Sequence, residues 1–399
     1  MSPKGLPVIV TTLAALQLAP VTLAGVFLTA QKYPSGESPI AAVVQDFNND
    51  QVSDIATANQ SGENVSLFLG NPDGTFAPAN TFSVGVGGGD IASADLDADG
   101  NADLVLADGS LSVNIALGQG DGTFGPASTI RLSDDFEDQT QGIAIADLNS
   151  DGILDLAISI YNQIYDDAGR VVVLIGQGDG SFAPPVSYYV TENATRLVAT
   201  DLNNDGVLDL AVAIQRFFAA KCLAVLLGNG DGTFQPAVTS VAGTLSTDVA
   251  ADDFNGDGNV DLALAEDLNE SVLVVLGNGD GTFQPATTYS TIGPAPRVRA
   301  IDLSGDGVSD LVVAEGPKIL LGDGTGGFGA PLIYGIGATF AEIGDFNHDR
   351  KADIVAAGFS EIDVAFGRGH GAFKAPLQFF TGGGVIDPLG GFDVARLRW

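Results

Sequence analysis

Asp-Phe-Asn-Gly-Asp-Gly-Asn-Val-Asp-Leu at 253–262, followed at 276–283 by Leu-Gly-Asn-Gly-Asp-Gly-Thr-Phe, decides how the whole chain is read. In the first stretch, side-chain oxygens recur at Asp253, Asn255, Asp257 and Asp261, with glycine between them. The apolar runs Leu262–Ala265 and Val272–Leu276 have strand length and composition. The second stretch strings together Asn-Gly and Asp-Gly steps, the strongest short-range signal for a hairpin because both residue types accept positive φ. A strand, an acidic loop, a strand, a variable loop, a strand, a glycine turn and a fourth strand therefore follow in order.

The pattern Asp-x-Asn/Asp/Ser-x-Asp-x-x-x-Asp also begins at Asp46, Asp95, Asp147, Asp201, Asp302 and Asp345, giving seven copies spaced 43 to 54 residues apart by subtraction. Such a period is that of four-stranded propeller blades. The predicted fold is all-β, a single β-propeller of about seven four-stranded blades. Eight blades, or a piece of a longer repeat protein, are the alternatives. Phenylalanines 76, 124, 182, 234, 283, 328 and 373 recur at one point of each unit and are expected to pack between blades.

A hard cation such as calcium takes six to eight oxygen ligands, and a loop offering them at alternate positions folds them around one centre. Positions one, three, five and nine supply side-chain oxygens, and position seven can add its backbone carbonyl. The expected ligand sets are Asp46, Asn48, Asp50 and Asp54; Asp95, Asp97, Asp99 and Asp103; Asp147, Asn149, Asp151 and Asp155; Asp201, Asn203, Asp205 and Asp209. The remaining three are Asp253, Asn255, Asp257 and Asp261; Asp302, Ser304, Asp306 and Asp310; Asp345, Asn347, Asp349 and Asp353. Position six needs a sharp turn, and five copies have glycine there. The first and last copies carry Gln51 and Arg350 instead, and Lys351 adds a second positive charge, so these two loops are expected to bind most weakly. The expectation is about five to seven calcium ions.

Charge points the same way. The 399 residues carry 50 acidic and 16 basic side chains for a formal −34, which repels nucleic acid and anionic membranes. One cysteine, Cys222, allows no internal disulfide, and two histidines, His348 and His370, leave little for zinc or an imidazole base. His348 lies inside an acidic loop and His370 in a glycine turn. No carboxylate pair stands out for glycoside chemistry, so an enzyme is not expected.

The repeated loop and turn resemble the FG-GAP and VCBS repeats, and the motifs cover nearly all of the chain beyond residue 27. That family includes the N-terminal propeller of integrin α subunits, certain propeller lectins and many exported bacterial proteins. The resemblance implies calcium at the loop ligands and leaves the partner open.

Residues 1–24 read as a signal peptide: Lys4, an uncharged run from Gly5 to Ala30, and small residues ending near Ala24. An uncleaved anchor or strands of an extra blade are the competing readings. Residues 25–385 hold the seven units, and 386–399 form a tail or closing strand. Ring closure has two candidates. Phe27–Tyr33 resembles Phe283–Tyr289 and could complete the last blade, yet that blade has its own fourth-strand candidate at Leu377–Thr381.

Since strands alternate direction, acidic loops and glycine turns share one face, and the other loops and links share the opposite one. Three long insertions fall on that opposite face, at 132–141, 161–170 and 215–221. They bring Tyr161, Tyr165, Arg170, Arg216, Phe217 and Phe218 to neighbouring blades, a mixture suited to a protein or sugar partner. In the integrin relatives, too, the ligand face is the one opposite the calcium loops. The expected function is an exported, secreted or surface-bound bacterial recognition or adhesion module for an extracellular protein or glycan, acting as a monomer. A propeller lectin and a calcium-dependent carbohydrate-active enzyme are the alternatives.

Overall fold

The computed structural model describes residues 31–373 apart from 86–88, 135–136, 163–168, 191–192, 216–220, 241–242, 244, 315, 334–339, 358–359 and 370–371. The signal-peptide reading, Leu377–Thr381 and the 386–399 tail lie outside these residues. The described chain has no helix and forms seven four-stranded antiparallel sheets. In blade five the strands run Ser246–Asp252, Asp261–Glu266, Ser271–Val275 and Thr287–Ser290, each paired with the next.

Burial within a blade explains its composition. The second and third strands, such as Asp261–Glu266 and Ser271–Val275, are buried along their whole length, because a neighbouring blade covers each of their two faces. Unbroken apolar runs are the result, rather than period-two alternation. Fourth strands are short, polar and exposed, as in Thr287–Ser290, which suits an edge that must not recruit another chain. First strands face the axis, and that of blade one packs on that of blade seven, Phe340–Gly344.

The core is divided into seven apolar clusters, one for each interface between blades. The cluster joining blades seven and one contains Phe346, Val355 and Val364 with Ile55 and Phe68. Seven interfaces for seven blades mean a closed ring. Six of the repeated phenylalanines sit in these clusters. Phe124 meets Phe47 of blade one edge-on, and Phe328 meets Phe254 of blade five. The side chain of Phe373 lies outside the described residues.

The N-terminal strand closes the ring. Gln31–Pro34 pairs antiparallel with Glu361–Ala365, with Gln31 opposite Val364 and Pro34 opposite Glu361, and so supplies the fourth strand of blade seven. Tyr33 occupies the place that Tyr289 has in blade five. Its ring packs on Phe68 and Phe76, and its hydroxyl accepts the Phe76 N–H at 3.0 Å.

Candidate functional site

Each acidic loop joins the first strand of a blade to the second, and its position-nine aspartate opens the second strand, as in the pairing of Asp252 with Asp261. Position two is a buried apolar plug, such as Phe47, Leu148 or Phe254. The position-one carboxylate then gathers the loop's backbone. Asp253 Oδ1 accepts the Asp257 N–H at 3.2 Å and Oδ2 accepts the Gly258 N–H at 2.8 Å. Corresponding bonds recur in the other six loops.

Two positions of the loop are left-handed, four and six. Position six includes Gly258 at φ 86°, but also Gln51 at 67° and Arg350 at 61°. Position four includes Asn49 at 58°, Ala98 at 57° and His348 at 55°. The first and last loops thus keep the common shape without glycine, at a conformational cost. In the last loop Lys351 Nζ also stands 3.3 Å from Asp349 Oδ2, so a cation of the chain already sits on one of the expected ligands.

The seven position-nine aspartates do work that spacing does not reveal. Asp261 is fully buried; its Oδ2 accepts the Phe254 N–H at 3.0 Å and its Oδ1 accepts the Gly277 N–H at 2.7 Å. Gly277 begins the glycine turn, so this carboxylate ties loop and turn together. Its counterparts repeat both bonds in every blade. Burial pushes the Asp54, Asp103, Asp261 and Asp353 carboxyls up to about 6, with the two N–H bonds acting in the opposite direction. A nearby cation would favour the ionised form.

The second loop carries the clearest donor set. Carboxylate oxygens of Asp95, Asp97 and Asp99 all lie within 4.8 Å of one another, close enough to hold a metal ion. Where position three is asparagine, its amide softens the repulsion: Asn255 Nδ2 donates to Asp257 Oδ2 at 2.9 Å, and Asn48 and Asn149 do the same in their loops. Asp97 has no such proton to give. Three like charges at this separation favour a divalent cation among them, and an all-oxygen donor set fits calcium.

On the opposite face the expected partner patch divides. Tyr165, Arg216, Phe217 and Phe218 lie outside the described residues. Arg170 is turned inward: it is 9% exposed, its guanidinium is paired with Asp138, and it donates to Ser133 Oγ at 2.8 Å. Asn162 Nδ2 reaches the same carboxylate at 2.9 Å. Arg170 therefore holds blade three together. Tyr161 is half-buried and lines a cavity of about 600 Å³ near the ring axis.

Sequence reasoning missed the charges around this axis. Asp90 lies between Arg196 at 2.5 Å and Arg297 at 3.6 Å, and Arg299 bridges Glu342 at 2.8 Å and Asp248 at 3.0 Å. Burial works to raise the Asp90 carboxyl, but the Arg196 and Arg297 guanidiniums prevail and hold it below the usual range. A signal was present. Asp90, Arg196, Asp248 and Arg297 each stand five residues before an acidic loop, charged side chains at a place where the first strand should be plain.

A family described as FG-GAP-like repeat matches residues 46–106, 95–158, 160–212 and 253–313. Among curated proteins, none matches. Two similar solved structures are a lectin of Agrocybe aegerita that specifically recognises non-reducing terminal N-acetylglucosamine, and BBS1N in complex with ARL6DN. The lectin shares 23% identity over 78% of this chain and 81% of its own, with a TM-score of 0.52. For BBS1N the values are 11% identity, 85% and 96% coverage and a TM-score of 0.59. At these identities the likeness is one of fold.

Proposed function

Because the chain belongs to the FG-GAP-like repeat family, we propose that it is an exported recognition module, a calcium-stabilised propeller that binds an extracellular protein or glycan rather than transforming it. One contrast carries this reading. The acidic face repeats the same loop and the same hydrogen bonds seven times, whereas the opposite face differs from blade to blade in loop length and side chains. A uniform face suits folding, and a varied one suits recognition.

Calcium belongs to the uniform face. Asp95, Asp97 and Asp99 would hold one ion, with the carbonyl of Asn101 and the Asp103 carboxylate completing the set, and the other loops would follow the same plan. Seven divalent ions would reduce the formal charge of −34 to −20. The lectin and BBS1N, one recognising a sugar and the other a protein, support recognition as the use of such a disc.

Thermal unfolding of the purified protein in excess calcium and in chelator, with metal analysis, tests the calcium half. A large fall in Tm on chelation and about five to seven ions per chain are expected. No bound metal and no shift would reduce the loops to turns. A glycan array and binding to extracellular extracts, each with calcium-loaded protein, test recognition, and turnover of a polysaccharide would displace it in favour of an enzyme.

A further inference from the structure

The axial cavity lies on the face opposite the acidic loops, at the entrances of the first strands. Four of these strands carry a register irregularity at their start: between Pro39 and Ala41, Thr140 and Ile143, Ala194 and Leu197, and Ser246 and Asp248. A bulge re-aims side chains, and it recurs beside functional sites. The residues within these irregularities include Gln141, Thr195, Arg196 and Thr247, all of which line the cavity. The Ile40 carbonyl, in the irregularity between Pro39 and Ala41, accepts Arg297 Nη2 at 2.7 Å.

Arg297 supplies the second observation. It is 9% exposed, yet its Nη1 makes no hydrogen bond among the described residues, and its nearest counter-charge, Asp90 Oδ1, is 3.6 Å away. Asp90 is shared with Arg196, so two guanidiniums at the wall have one carboxylate between them. Asp248 and Glu342 are engaged by Arg299 and do not line the cavity. Burial, and after it the Arg196 charge, push the Arg297 guanidinium down to about 10, with Asp90 acting in the opposite direction. The rest of the wall includes the Gln139, Gln141 and Gln215 amides and the Tyr161 phenol.

We propose that this cavity binds a carboxylate-bearing sugar residue, with Arg297 and Arg196 taking the carboxylate and Gln139, Gln141, Gln215 and Tyr161 taking the hydroxyls. A guanidinium fork matches a carboxylate geometrically. Side-chain amides, each both donor and acceptor, match neighbouring hydroxyls. A peptide would bring apolar side chains, for which this wall offers little beyond Pro296 and the Tyr161 ring. The volume lies within the range of ordinary small-ligand sites, roughly 300–1,000 Å³. The inference rests on the recognition reading and names a ligand class and a place for it.

The test is titration of the calcium-loaded full chain with glucuronate, glucose and glutarate, followed by NMR and calorimetry. Glucuronate should bind roughly tenfold or more tightly than either of the others, since glucose lacks the charge-assisted pair and glutarate lacks the hydroxyls. Arg297→Gln should abolish binding, but it also removes the bond to Ile40. Tyr161→Phe and Gln141→Ala therefore carry the test, because both side chains are half-buried and make no side-chain hydrogen bond among the described residues. Each should weaken glucuronate roughly threefold or more with Tm unchanged. Glucuronate binding no better than glucose, glutarate binding equally well, or indifference to both variants would overturn the proposal. Binding on a glycan array that survives both variants would remove the axial site while leaving recognition intact.

Discussion

Tyr33→Ala tests how the ring is closed. Tyr33 is 8% exposed in the cluster joining blades seven and one, and its hydroxyl satisfies the Phe76 N–H at 3.0 Å. Tyr33→Phe removes only that acceptor and leaves a buried donor, at a cost of about 1–3 kcal/mol. Tyr33→Ala also empties the space between Phe68 and Phe76, and large-to-small changes of aromatic residues cost about 3–5 kcal/mol. Deleting residues 1–34 goes further, removing the fourth strand of blade seven and exposing the edge of Glu361–Ala365. Urea unfolding gives the two free energies, and hydrogen exchange locates the damage. Amides of 361–364 that face the closing strand should lose protection, while those of blades three to five keep theirs. A loss below about 1 kcal/mol for Tyr33→Ala, or full protection of 361–364 after the deletion, would refute closure by the N-terminal strand.

Three further outcomes follow from the same structure. Gln51→Gly should stabilise by about 1 kcal/mol in urea unfolding, because Gln51 holds φ 67° that glycine adopts without strain. Gly142→Ala should destabilise by about 1–3 kcal/mol: its Cβ would stand 2.9 Å from Arg196 Cα and 3.1 Å from the Thr195 carbonyl, so blades three and four must part. Asp363 is buried with an unsatisfied Oδ1, and burial pushes its carboxyl up to about 6 despite Lys32. A raised carboxyl means the folded state holds its proton more tightly, so this group's stability is greatest at low pH and is lost as pH rises from about 4 through 6. Asp363→Asn should therefore raise Tm at pH 8 and have no such effect at pH 4; an equal gain at both would show that charge is not the cause.

Seven copies of Asp-x-Asn/Asp/Ser-x-Asp-x-x-x-Asp, at blade spacing, determined the fold class and the place of every acidic loop, while the choice between seven blades and eight fell to the structure. Local rules suffice for these, because a hairpin loop is built by its own residues and apolar runs report strands that are covered on both faces. The phenylalanines were legible for the same reason: a residue that recurs once per blade meets the same neighbour each time. Only the tertiary structure showed that Asp261 and its counterparts join loop to turn, since Phe254 and Gly277 are brought to one carboxylate by the strand pairing. Between Phe27–Tyr33 and Leu377–Thr381 the sequence did not decide, because both have strand character and only the ring sets Gln31–Pro34 against Glu361–Ala365. Arg170 looked like a surface charge, and folding turned it inward to Asp138. The axial group of Asp90, Arg196 and Arg297 was the least legible part, because its members come from blades two, four and six and meet only where the seven blades converge on one axis.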